Sequence, residues 1–116
     1  MTNSNIESMV NFNHLRSLLG GNEQQVTEMV GLIREHLPIA IKELRAQFEQ
    51  NEIEKMIATV HGMKSYLVYL GNNELYEKVL NWESHLKSNS TFDHEEMISE
   101  LELKGEPIVK ELSDIH

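Results

Sequence analysis

At 116 residues, with a formal charge of −9 from 19 acidic and 10 basic residues, the chain has room for one domain with its own core. Its acidity disfavours nucleic acid and anionic lipid, which need clustered Lys and Arg, and points to a protein partner instead. The absence of cysteine excludes disulfides, thiolate chemistry and Cys-based zinc sites, and no apolar run approaches the roughly 20 residues that span a bilayer.

Met1 to Ile6 are polar, and together with the lack of a membrane-length apolar run this leads to the expectation of a soluble, cytoplasmic protein. Residues 1–10 are expected to form a flexible or partly ordered N-terminal segment of a single domain spanning 1–116. A short amphipathic helix follows from Asn11 to Leu19, carried by Phe12, Leu15, Leu18 and Leu19 and stopped by Gly20-Gly21. From Asn22, with Gln25 placed as in a capping box, Val26, Met29, Val30, Ile33, Leu37, Ile41, Leu44 and Phe48 recur at helical spacing. Pro38 lies inside this stripe and predicts a kink or a short break.

A third helix is expected to begin at Asn51, with Glu54 as its N3 residue, and to carry Ile53, Met56, Ile57, Val60, Met63, Leu67 and Leu70 up to Gly71. A fourth runs from about Asn73 to Lys87 on Leu75, Val79, Trp82 and Leu86. After the polar loop at Ser88 to Thr91, a fifth spans roughly Asp93 to Ser113 on Met97, Ile98, Leu101, Ile108, Val109 and Leu112, weakened in its middle by Gly105 and Pro107. Four long helices on short loops must be antiparallel neighbours. The predicted fold is therefore all-α, an up-down-up-down four-helix bundle with a short N-terminal capping helix. Because such a bundle closes its own stripes, the chain is expected to be a monomer.

One site stands out, in the segment from Val60 to Gly71. At about 100° per residue, His61 falls roughly 120° from the apolar centre at Val60 and Leu67, on a flank that solvent can reach. Lys64 and Ser65 follow at the third and fourth residues, on the same face, where a cation and a hydroxyl could approach a group carried by the imidazole. Gly62, which costs a helix about 1 kcal/mol relative to alanine, keeps the surface beside His61 clear.

This pattern resembles the histidine phosphotransfer (HPt) family, whose helix carries His-x-x-Lys-(Gly or Ser) and closes on Leu-Gly ten residues after the histidine. Here these are His61, Lys64, Ser65 and Leu70-Gly71. The entry helix and turn at Phe12 to Gly21, Pro38, and the hydrophobic-Glu pair Trp82-Glu83 extend the likeness; Tyr66 and Leu67 stand where the family often has small residues. The resemblance implies a phosphorelay intermediate in two-component signal transduction. His61 would be the phosphoacceptor, Lys64 the countercharge and Ser65 a hydrogen-bonding group, with Glu83 matching a position that orients the imidazole. It also implies partners, namely response-regulator receiver domains or a hybrid sensor kinase, which would meet Ile57, Gly62, Ser65, Val68 and Glu83. No cofactor is expected on this chain and no ATP-dependent kinase activity of its own; the receiver would bring Mg²⁺.

Two other classes of function compete. One is a helical interaction module that docks a receiver or kinase without phosphotransfer. The other is a metal-binding bundle, disfavoured because no Glu is followed three residues later by His and no His-Glu-x-x-His occurs. His14, His36, His85, His94 and His116 are scattered over separate segments, the six methionines suit a core, and Glu95 to Glu106 reads as a solvated face.

Overall fold

A computed structural model describes residues 8–114, so the expectation of flexibility at residues 1–7 lies outside the described residues. All the regular structure within that span is helical: α1 (Phe12–Leu18), α2 (Glu23–Glu49), α3 (Ile53–Leu67), a 3-10 turn (Val68–Leu70), α4 (Asn73–Ser88) and α5 (His94–Ser113). The starts are written in short polar side chains that accept the free amides of a first turn. Asn11, Asn22, Asn72 and Asp93 cap α1, α2, α4 and α5 by accepting from the amides of His14, Gln25, Leu75 and Glu96.

The third helix departs from the sequence expectation. Asn51 has a left-handed backbone, φ 59°, and its amide donates to the Phe48 carbonyl at 3.0 Å. It therefore closes α2 and does not open α3, which starts behind Glu52 without a side-chain cap. Asparagine serves either role, since its short side chain suits a cap and tolerates the left-handed region.

Neither proline ends a helix. Pro38 is exposed within a continuous α2, so the carbonyl one turn earlier, at exposed Arg34, can turn to water when its amide partner is missing. No break occurs there. Pro107 likewise lies inside α5. Gly105 is buried, and a Cβ on it would come within 2.7 Å of Ile41 Cδ1, so this glycine admits α2 at close range. At Gly71, φ is 68° and an added Cβ would stand 2.8 Å from Asn11 Cβ; both backbone and space require glycine.

Packing joins α2 to α3 and α5, α3 to α4, and α1 to the 3-10 turn. The stripes meet as the periodicity predicts, with Val26, Val30, Ile33, Leu37, Ile41 and Leu44 of α2 buried and Met29 and Phe48 half-buried. Trp82 is fully enclosed, and its indole N–H donates to His94 Nδ1 at 2.9 Å, tying α4 to the start of α5. Arg45 links α2 to α5 through Glu95, Ser99 and Glu102. Ser8 to Val10 are anchored, because the Glu111 carboxylate accepts from the Met9 and Val10 amides at 2.8 and 3.0 Å. Among the described residues, no helix is long and apolar enough to cross a membrane.

Candidate functional site

On α3, the residues Val60, Met63 and Leu67 face the core, which turns His61 outward with 70% of its side chain exposed. On α4, Leu75, Val79, Trp82 and Leu86 form the buried stripe, and Glu83 lies on its edge toward α3. Glu83 is the one charged residue buried among the described residues. An unpaired carboxylate there would be costly, so its surroundings must supply protons or cations.

They supply three partners. Lys64 Nζ contacts Glu83 Oε1 at 2.5 Å, His61 Nδ1 lies 3.1 Å from Oε2, and Lys87 Nζ lies 3.3 Å from the same Oε2. Burial alone would raise the Glu83 pKa, but the contacts with Lys64, His61 and Lys87 outweigh it and hold the carboxyl below its ordinary value. Glu83 is thus ionised at neutral pH and can only accept hydrogen bonds. A neutral His61 must then keep its proton on Nδ1, which leaves the lone pair on Nε2, the nitrogen directed away from Glu83. The pair of helices therefore fixes a tautomer and aims a nucleophilic nitrogen outward.

The other residues singled out in the sequence fall as follows. Lys64 is only 20% exposed, with its ammonium on Glu83. Ser65 is exposed, and its hydroxyl donates to the Gly62 carbonyl at 2.7 Å. A Cβ on Gly62 would meet nothing within 4 Å, so this side of α3 is open. Ile57, half-buried on α3, and Val68, exposed at the start of the 3-10 turn, flank His61, whereas Glu83 lies beneath that surface. Tyr66 and Leu67 are buried; burial and the nearby Glu43 carboxylate push the Tyr66 phenol up to about 12.

Three contributors escaped the sequence reading. Lys87 was legible as the cation four residues after Glu83 on one helix. Leu32 and Ile39, exposed on α2, line a groove with Gly62 and Ser65 of α3; their seven-residue spacing off the buried stripe was the available signal. Among the described histidines, His61 alone contacts a carboxylate, since His85 pairs with Ser90 and His94 with Trp82. His116 lies outside the described residues. No group of three His, Asp or Glu side chains converges as a metal site among the described residues. Compared with family models, with curated proteins and with solved structures, the chain matches none.

Proposed function

We propose that the chain is a phosphocarrier of the histidine phosphotransfer kind, moving a phosphoryl group on His61 between receiver-domain aspartates. The observation that carries this reading is an exposed imidazole whose Nδ1 is held by a buried, ionised carboxylate. In this reading, Nε2 attacks the phosphorus of an aspartyl phosphate, the N–P bond forms as the P–O bond breaks, and the aspartate leaves as a carboxylate. The ring keeps its Nδ1 proton and becomes positively charged; Glu83 stands where that charge appears and stabilises it. Transfer to a second receiver reverses the same step. Alignment and countercharge are what a loose phosphoryl-transfer transition state requires, and Mg²⁺ would belong to the receiver.

The same reading takes the four long helices as an up-down-up-down bundle in which α1 caps one end. Receivers or a hybrid sensor kinase would dock on the α3 face around Gly62, Ser65, Ile57 and Val68, in the cytoplasm, with the chain as a monomer that does not use ATP. A second reading, docking without phosphotransfer, is favoured by exposed Leu32 and Ile39 beside that face, because paired apolar side chains at a groove suit a protein partner. Acid-labile phosphate separates the two. Incubation with phosphorylated receivers should label the wild type at His61 and leave His61→Gln unlabelled, and ATP alone should label neither; docking without label would favour the second reading.

A further inference from the structure

Glu83 carries one negative charge and meets two ammonium groups, so the site holds one more cation than its carboxylate needs. The two cations are not equivalent. Lys64 is four-fifths covered and is the partner of Oε1; withdrawing it would strip that oxygen in a buried position. Lys87 is 56% exposed, sits at the longer distance of 3.3 Å, and shares Oε2 with the imidazole. When Lys87 leaves, Oε2 still accepts from His61. Lys87 is thus the cation that moves at least cost, and it already stands one carboxylate oxygen away from the ring that would receive the phosphoryl group.

Resting on the phosphocarrier reading, we propose that Lys87 is the mobile countercharge for the phosphoryl group on His61, while Lys64 remains on Glu83 as its counter-ion. The division follows from the geometry. A locked cation keeps the carboxylate ionised and in place, and a loosely held one swings to the phosphoryl oxygens without unpairing a buried charge. Its long, half-exposed stem rises from α4, the helix that also carries Glu83. The lysine three residues from His61 then acts on the imidazole indirectly, through Glu83, and is a positioning residue.

The test uses potassium phosphoramidate as a small donor, with the full chain and the variants Lys87→Met, Lys87→Arg and Lys64→Met. Phosphate on His61 is followed by ³¹P NMR, and melting temperature is recorded in parallel. Lys87→Met should phosphorylate roughly fivefold more slowly, the order expected for one partly exposed charge a few Å away. Its melting temperature should hold, and Lys87→Arg should restore most of the rate. Lys64→Met should lower the melting temperature by several degrees. A wild-type rate in Lys87→Met would overturn the role of Lys87 and leave the phosphocarrier reading standing. So would a drop in its melting temperature matching that of Lys64→Met, which would make Lys87 structural. Wild-type protein that takes no phosphate on His61 from phosphoramidate would remove the phosphocarrier reading and this inference together.

Discussion

Replacing Glu83 by glutamine preserves shape and removes one charge, which isolates what the buried carboxylate does. Lys64 has only donors, so it claims the glutamine oxygen, and the amide NH₂ then faces His61 Nδ1 in place of Oε2. That arrangement favours an unprotonated Nδ1 and puts the proton on Nε2, where it blocks attack. The stability cost is the loss of a charge-assisted contact to a largely covered ammonium, offset because no carboxylate need be buried; about 1–2 kcal/mol remains. For a domain of this size that is about 5–10 °C in melting temperature.

The rate should suffer separately. A unit charge about 4 Å from the developing ring charge contributes about 1 kcal/mol in water and about 4 at an effective dielectric of 20. With His61 70% exposed, the lower half of that range, about 1 to 2.5 kcal/mol, applies, so transfer should slow by about five- to seventyfold. Ring ¹⁵N shifts of His61 report the tautomer and a discontinuous phosphotransfer assay reports the rate. If Glu83→Gln retains the Nδ1–H form and transfers at the wild-type rate, the orienting role assigned to Glu83 is wrong.

Three further outcomes follow from the same geometry. Gly62→Ala, on an open helical face, should raise stability by up to about 1 kcal/mol, whereas Gly105→Ala should forfeit that gain against Ile41; thermal melts compare them directly. Ser65→Arg should leave the melting temperature within about 2 °C, as an exposed substitution, yet slow transfer from a receiver, and unchanged transfer would move the docking face elsewhere. Burial, aided by His85, lowers the His94 pKa below its ordinary 6.5, so its contribution to stability is present above that value and is lost as pH falls through the folded value. The fluorescence of Trp82, the single tryptophan, should titrate in that window below pH 6.5, and His94→Gln should flatten both the signal and the associated loss of melting temperature.

Much of the scaffold was legible because helical periodicity survives in a single sequence: the stripes through Ile33, Leu44, Val60, Val79 and Trp82 are the core. The same reading put His61 on an exposed flank, as it is. What failed was local or relational. Asn51 offered two roles and takes the left-handed one, and Pro38 is tolerated because its turn faces water. Gly105 read as a weak point, although it is the place where α2 needs room. The ownership of Lys64 depended on a residue of another helix: spacing on α3 brings Lys64 to the face of His61, but only the burial of Glu83 opposite makes the carboxylate the stronger claimant. Lys87 is legible as an i, i+4 partner of Glu83, but only the burial of that carboxylate shows that it gathers a second cation beside Lys64.

The most direct measurement is a three-component relay followed in time. A phosphorylated receiver, the wild-type chain and a second, unphosphorylated receiver are mixed without ATP, and radiolabel is tracked on each. Phosphocarrier function predicts acid-labile label that rises and falls on the chain, maps to His61, and ends on the second receiver, with no passage through His61→Gln. Label reaching the second receiver equally well through His61→Gln, or never leaving the first in the presence of wild-type chain, would contradict it.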